Sequence, residues 1–469
     1  MKMMLSDCAE SVQGQLIGND VEVSSVSIDT RAIKPGQLYI AIKGHNFDGN
    51  EFADKAEQAG ASAAIVHKGV TATIPHIIVD DTRLALAELA GAWRKKVPVS
   101  VVGITGSNGK TTVKEMVAAI LSVNGNTLFT QGNLNNDIGV PLTLLRLNEQ
   151  HRYAVIEMGA NHPGEIEYTS NYAQVDVAVI TNVGAAHIEG FGSVDGVAKA
   201  KGEIIQTLKQ AGVAVINRDD KYFDYWKSVA GTRKIISFGL GDGANVTSHT
   251  AKTEVINNEF STTFDLMTEH DCMDAGGRAM QGAVAEGVTT VKLKLAGQHN
   301  VVNALAATAA CLALGIDLNQ IKQGLESVKP VTGRLQPLVS RQGNIVIDDT
   351  YNANPASLKA GLDVLVNCAG KPWLILGAFG ELGPESVKIH EEIGELIKAA
   401  GVVRLLAVGS DARNAVKVFG AGATFFETQN ELIDVLKQEL KGDEAILVKG
   451  SRAQHMENVV AALVENFRI

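Results

Sequence analysis

The strongest constraint on the fold is the run SVVGITGSNGKTTVKEMVAAILSV at residues 100–123. It opens with an apolar stretch of the kind shown by parallel strands covered on both faces. It closes with a helical pattern, and only a few glycine and polar residues stand between. A strand that turns into a helix through such a loop presents backbone amides at the helix N-terminus, where an anion is favoured. The spacing departs from the usual phosphate-loop pattern G-x-x-x-x-G-K-[ST]. Counting back from Gly109-Lys110-Thr111, the first glycine would stand at Ile104, whereas the glycines are Gly103 and Gly106. Lys110 offers a mobile positive charge and Thr111 a hydroxyl for a magnesium ion. A bare strand-to-helix turn does not explain the Gly-Lys-Thr order, so the loop reads as a phosphate site of altered spacing.

Strand and helix patterns alternate on both sides of this run. Before it, VEVSSVSID, GQLYIAI and ASAAIVH read as strands and NEFADKAEQAG as a helix. TRLALAELAGAWRKKV reads as a longer helix with Asp81 as its N-cap. After it, YAVIEMG, VDVAVITNV and GVAVINRDD are short β-rich runs separated by helical stretches, which predicts a doubly wound α/β domain. The threonine-rich segment from about 243 to 296 reads as a β-rich excursion before the helix HNVVNALAATAACLALG. Proline and glycine then cluster in SVKPVTGRLQP, and NIVIDDTY, PWLILGAFG, VRLLAVG and EAILVKGS begin a second α/β series. A chain of 469 residues has room for several cores, and the pattern predicts three domains at 1–81, 82–328 and 329–469.

Composition narrows the function. The net charge of −10 argues against broad binding to nucleic acid or an anionic membrane, but not against a local site for a small anion. No apolar run approaches transmembrane length, and the opening MKMMLSDCAESVQGQ is too polar for a secretory signal, so a cytoplasmic protein is expected. Cys8, Cys272, Cys311 and Cys368 are scattered without a C-x-x-C pair and read as small buried hydrophobes. A monomer is expected, because no exposed apolar helix stands out.

Two further residues point to a metal. Glu157 ends one predicted strand and His187 follows the next, and neighbouring strand ends can bring a carboxylate and an imidazole beside the loop. Both can ligate magnesium or manganese, although hard Mg²⁺ prefers oxygen. In GVAKAKGEI, spacing alone singles out neither Lys199 nor Lys201.

The stretches GITGSNGKTT, EMG, NVGAAHIE, AKGEI, GQHNVVNALAA, TGRLQ and DDTYNANP follow one another in the order found in the Mur ligases and the related folylpolyglutamate synthases. This resemblance covers nearly the whole chain. QGNLNNDIGVPLTLL, DDTYNANPAS, ELG and LVKGSRAQHME are similar to the branch that completes the cytoplasmic peptide of the peptidoglycan precursor. SIDTRAIKPGQLYIAIKGHNFDGNEFADKA resembles a UDP-sugar-binding domain. The resemblance implies a three-domain α/β architecture: a small N-terminal UDP-binding domain, a central ATPase-like doubly wound domain and a C-terminal Rossmann-like domain.

It also implies ATP-dependent addition of D-Ala-D-Ala to UDP-MurNAc-tripeptide through an acyl phosphate, with two magnesium ions. Lys110, His187 and Lys201 would be catalytic. The nucleotide would meet Gly106, Ser107, Asn108, Gly109, Lys110, Thr111, Thr112, Asn300, Arg334 and Asp349. Thr111, Glu157, His187 and a carbamylated Lys201 would serve the metals. Ser27, Thr30, Arg31, Asn46, Asp48 and Asn136 would meet the UDP-linked substrate. The family's GDMxELG is GAFGELG here, with Ala378 and Phe379, which puts a dipeptide contact at that loop in question. A sibling ligase that adds the third peptide residue, or a folylpolyglutamate synthase-like ligase, stays open at this point.

Overall fold

The computed structural model describes residues 1–44, 47–184, 188–256, 258–268 and 287–465. Strand Ser100–Thr105 lies inside a 10-stranded sheet, parallel to Tyr153–Glu157 on one side and Val177–Ile180 on the other. Thr127–Phe129 continues the sheet beyond Tyr153–Glu157, while Val213–Asn217 and Lys234–Phe238 continue it beyond Val177–Ile180. The chain therefore leaves the Ser100–Thr105 strand in one direction and later crosses back to build the other side. Such a reversal of strand order leaves a crevice at the strand's C-terminal end, which is where the glycine loop sits.

Successive side chains of this strand enter different cores, as the two-residue period of a strand requires. Val101 packs with Leu86, Leu89, Ile156 and Ile204. Val102 and Ile104 pack with Val113, Met116 and Val117 of helix Lys110–Asn124 and with Val301 and Leu305 of helix Gln298–Ala313. The strand is thus buried on both faces, which accounts for its unbroken apolar run.

The β-rich excursion extends this same sheet. Val246–Thr247 joins Lys234–Phe238 in parallel, and Glu259–Thr268 pairs antiparallel with Ala251–Ile256 and Gly287–Leu293. Alternate residues Phe260, Phe264 and Leu266 are buried, which fixes the register. A 5-stranded N-terminal sheet and a 6-stranded C-terminal sheet complete the molecule with a small two-stranded pair. In the C-terminal sheet, Ile345–Asp349, Glu444–Lys449, Lys371–Gly377, Arg404–Val408 and Ala423–Phe426 run parallel, and Gln336–Val339 closes one edge antiparallel. The sequence reading misses Met3–Met4, Gln15–Ile17, His76–Val79, Thr127–Phe129, Lys234–Phe238, Gln336–Val339 and Ala423–Phe426. Pro337 explains one omission: proline argues against a strand, yet it is tolerated on this antiparallel edge. Among the described residues, no helix is long and apolar enough to cross a membrane.

Helix Thr82–Lys96 joins the N-terminal and central sheets. Asp81 caps it, accepting hydrogen bonds from the amides of Arg83 and Leu84. Near its other end, buried Arg94 donates to the carbonyls of Ala173, Val97 and Val99 at 3.1, 3.1 and 2.9 Å and pairs with Asp176 at 3.5 Å. Asp176 in turn accepts from the Val101 amide at 2.9 Å, so the arginine braces the start of the loop-bearing strand. Removing it would strand several buried acceptors. Arg94→Ala is expected to cost about 3 kcal/mol in urea unfolding, with little change in the denaturant slope.

Candidate active site

The glycine loop is clamped by the strand end beside it. The Ser107 amide donates to the Asn182 carbonyl at 3.0 Å, and the Asn108 amide to Asn182 Oδ1 at 2.9 Å. Thr181 Oγ1 donates to the Asn108 carbonyl at 2.6 Å. The approach is close enough to require glycine. A Cβ on Gly106, where φ is +153°, would stand 1.8 Å from Thr181 Oγ1, and one on Gly109, where φ is +80°, would stand 2.4 Å from Asn303 Oδ1. Lys110 folds back over the loop and donates to the Gly106 carbonyl at 2.6 Å. Burial pulls its ammonium below the usual lysine range; the Glu157 carboxylate opposes that shift and the Arg334 charge adds to it.

Glu157 ends strand Tyr153–Glu157 and is 3 % exposed. Its Oε1 accepts from Asn135 Nδ2 at 2.8 Å, while its Oε2 is buried with no hydrogen-bond partner among the described residues. A buried carboxylate oxygen left bare is costly, and a cation relieves it. The backbone beneath is braced: the Glu157 amide donates to Thr130 Oγ1 at 3.0 Å, and buried Lys114 donates to the Thr130 carbonyl at 2.8 Å. Lys201 projects from helix Val194–Gln206 and is 3 % exposed, whereas Lys199 on the same helix is exposed. Burial holds the Lys201 ammonium well below its ordinary range, and the Lys110 charge reinforces the shift. No hydrogen bond to it comes from the described residues. His187 lies outside the described residues, and no group of three metal-ligating side chains occurs among those that are described.

Lys110, Thr111, Asn135, Asn136, Glu157 and Lys201 line a cavity of about 420 Å³. Its opposite wall comes from the C-terminal region: Gly333, Arg334, Asp349, Tyr351, Asn354 and Lys449. Two hydrogen bonds close the walls on each other. Arg334 Nη2 donates to Thr111 Oγ1 at 2.9 Å, and Asn354 Nδ2 to Asn108 Oδ1 at 2.7 Å. The Arg334 guanidinium lies 4.2 Å from the Tyr351 ring centroid, which fixes its plane. Lys449, 1 % exposed, forms an ion pair with Asp349 Oδ2 and donates to the Asn352 carbonyl at 3.1 Å.

On the far side of the loop a second cavity of about 410 Å³ is lined by Thr112, His299, Asn300, Asn303, Ala356 and Ala360, and it shares Asn108, Gly109, Arg334, Asp349 and Ser357 with the first. Asn300 is held by its own helix start, donating to the Ala296 carbonyl at 2.8 Å and accepting from Asn303 at 3.0 Å. Burial holds His299 down at about 4; Asp349 opposes the shift and Lys449 adds to it.

The N-terminal residues do not line either cavity. Ser27 and Asp29 brace one turn, and Arg31 forms an exposed fork on Asp29 with bonds of 2.9 and 2.7 Å. Asp48 caps a short 3₁₀ turn through the Asn50 amide at 3.0 Å. Thr30 starts the turn that Asp29 caps, and Asn46 lies outside the described residues. Lys449, His299, Lys114, Asn182 and Asn354 escaped the sequence reading. A lysine ending the apolar run EAILVK was the one local signal among them.

The domain patterns of known families match this arrangement in order. Residues 22–94 match the Mur ligase family catalytic domain, 104–311 the Mur ligase middle domain, and 333–452 the Mur ligase glutamate ligase domain. The chain belongs to the Mur ligase family. It is 43 % identical over 468 residues to the UDP-N-acetylmuramoyl-tripeptide–D-alanyl-D-alanine ligase of Escherichia coli strain K12, covering 99 % of each chain. It is 38 % identical to the enzyme of the same name from Haemophilus influenzae, covering 100 % of each. A crystal structure of MurF from Acinetobacter baumannii superposes with a TM-score of 0.90 at 36 % identity, covering 99 % of both chains. MurF ligase from Thermotoga maritima in complex with ADP superposes at 0.80 with 28 % identity, covering 94 % of this chain and 97 % of that one. A folylpolyglutamate synthase from Mycobacterium tuberculosis, at 18 % identity and a TM-score of 0.62, shares the fold alone.

Two outcomes follow from this geometry. Gly109→Ala meets Asn303 and a left-handed backbone, so ATP affinity measured by calorimetry is expected to fall at least about ten-fold, that is by ~1.4 kcal/mol. For His299 the folded value of about 4 lies below the ordinary 6.5, so the unfolded chain takes up a proton first as pH falls. Stability present above pH 6.5 is therefore lost progressively towards pH 4. Urea unfolding at pH 7 and pH 5 should show His299→Gln losing about 1–2 kcal/mol less than the unsubstituted protein over that interval.

Proposed function

We propose that this protein joins D-Ala-D-Ala to UDP-MurNAc-tripeptide at the expense of ATP, releasing ADP and phosphate and yielding the pentapeptide precursor of peptidoglycan. One observation carries the reading: Lys110, the unpartnered Glu157 Oε2 and buried Lys201 face a single cavity whose other wall brings Arg334, Asp349 and Lys449. The relatives named for this reaction, and the ADP complex of one of them, support the choice of substrates.

The chemistry has two steps. An oxygen of the tripeptide's terminal carboxylate attacks the γ-phosphorus, the bond to the β-phosphate oxygen breaks, and ADP leaves an acyl phosphate. The dipeptide's neutral amine then attacks the acyl carbon, loses a proton, and expels inorganic phosphate as the amide forms. Carboxylate and triphosphate repel each other, so cationic groups fixed in advance lower the barrier. Lys110 and Arg334 reach the loop from opposite walls and supply that charge. Thr111 and Glu157, with His187, would hold magnesium, which supplies further neutralising charge when bound. The bare Glu157 Oε2 fits that role.

Lys201 is suited to carbamylation. Its depressed ammonium yields the free amine, whose nitrogen bonds to the carbon of CO₂ and sheds a proton, turning a buried cation into an anionic oxygen donor for a second magnesium. The cavity lined by Asn300 and His299 suits adenine, and Asp349 the ribose. Asn136 lines the side where the tripeptide would enter. The uridine diphosphate end would meet Ser27, Thr30, Arg31, Asn46 and Asp48. Contact of Arg334 with Thr111 and of Asn354 with Asn108 shields the acyl phosphate from water. A monomeric cytosolic enzyme with domains at 1–81, 82–328 and 329–469 completes the proposal.

Phosphate release in the presence of ATP, magnesium and UDP-MurNAc-tripeptide tests it. D-Ala-D-Ala should support turnover, while diaminopimelate, lysine and glutamate should not; equal turnover with any of those would refute the acceptor assignment. Lys201→Ala should lose at least about 100-fold in rate, ~2.7 kcal/mol, and regain part of it with short carboxylic acids.

A further inference from the structure

One buried lysine lies outside both cavities. Lys114 stands four residues after Lys110 on helix Lys110–Asn124 and is 2 % exposed. Positions four apart share a face of a helix, so Lys114 lies one turn further along from the lysine that folds over the loop. Burying an ammonium is costly unless its hydrogens are used. Here Nζ donates to the Thr130 carbonyl at 2.8 Å, pairs with Glu115 Oε1 at 2.9 Å and lies 5.8 Å from the centroid of the Phe129 ring. An apolar side chain of similar length would fill the space without that cost, so packing alone does not call for a lysine.

What the ammonium reaches is the segment that grips Glu157. Thr130 is fully buried; its amide donates to the Val155 carbonyl at 3.0 Å, and its Oγ1 accepts the Glu157 amide at 3.0 Å. Five residues on, the segment returns to the same carboxylate. Asn135 Nδ2 donates to Glu157 Oε1 at 2.8 Å, and the Asn135 carbonyl accepts the Gly159 amide at 2.8 Å. Residues 130–135 therefore hold the strand end on both sides of Glu157. Asn135 engages Oε1, and Oε2 is the oxygen left bare. Neither Lys114 nor Thr130 lines the cavity that Glu157 faces.

We propose that Lys114 is a positioning residue for the metal carboxylate. Through Thr130 it ties the helix that carries Lys110 and Thr111 to the strand end that carries Glu157, and so sets the bare oxygen at a fixed register against the phosphate loop. The inference rests on the magnesium site of the ligase reading above.

The test is calorimetry on the full chain with a non-hydrolysable ATP analogue, adenosine 5′-(β,γ-imido)triphosphate, titrated once with Mg²⁺ and once with EDTA. Mg²⁺ should tighten binding to the unsubstituted protein. Lys114→Met and Thr130→Val should lose about ten-fold or more of that tightening, while their affinity in EDTA stays within about two-fold of the unsubstituted protein. Thr130→Ser keeps the hydroxyl that accepts the Glu157 amide and should retain the tightening within about two-fold. Should Lys114→Met not fold, Lys114→Gln, one bond too short to reach the Thr130 carbonyl, takes its place. Equal weakening with and without Mg²⁺, as a general structural defect gives, would overturn the proposal. Full tightening in the Lys114 variant, or no difference between Thr130→Val and Thr130→Ser, would overturn it too. A Glu157→Gln protein that keeps the full tightening would instead count against the metal reading on which the proposal rests.

Discussion

The site depends on one clamp, the grip of Thr181 and Asn182 on the backbone of the glycine loop. The loop's Ser107 and Asn108 amides and the Asn108 carbonyl are bound to that neighbouring strand end, so the loop does not have to organise around its ligand. Preorganisation of this kind is what lets dipoles stabilise developing charge without paying to reorient. The clamp also explains the unusual glycine spacing. Gly106 is where Thr181 comes closest, and Gly109 is where Asn303 does. The glycine positions answer to the packing of these neighbours rather than to a generic loop template.

From that fixed point, charge is arranged across two walls. The central sheet contributes a lysine over the loop, a half-satisfied carboxylate and a buried lysine without hydrogen bonds from the described residues. The C-terminal sheet contributes Arg334 and the Asp349–Lys449 pair. Contacts between residues 223 and 246 positions apart in the chain bring the walls together. Neither wall alone carries both the phosphate loop and the cations that face it. Lys449 is itself neutralised by Asp349, so Arg334 is the wall's unspent positive charge, aimed at Thr111 where the helix N-terminus begins.

Much of this was legible in the order of residues, and the boundary of legibility is physical. Buried parallel strands read clearly because both faces are apolar, and the Asp81 cap reads clearly because capping is local. Glu157 and Lys110 stand out because each sits where a strand or loop ends. The choice of Lys201 over Lys199 came from resemblance. In the structure it corresponds to helical phase, one lysine facing inward and its neighbour two residues away facing out. Lys449, His299 and Asn354 were illegible because their significance lies in contacts far along the chain. The Ala378–Phe379 departure put a dipeptide contact at that loop in question. In the structure both side chains are buried in the C-terminal core, and the Phe379 amide donates to His390 Nε2. The β-rich excursion stood out because its alternation differs from that of buried strands, and in the structure it extends the central sheet with one face more open.

The central claim is that both walls act on one γ-phosphate. A crystal structure with magnesium, a non-hydrolysable ATP analogue and UDP-MurNAc-tripeptide tests it directly. The account predicts the γ-phosphate between Lys110 and Arg334, a metal on the Glu157 carboxylate, and the tripeptide's terminal carboxylate in line with the phosphorus. A nucleotide bound with its γ-phosphate outside this cavity, or Glu157 Oε2 left bare beside it, would contradict the account.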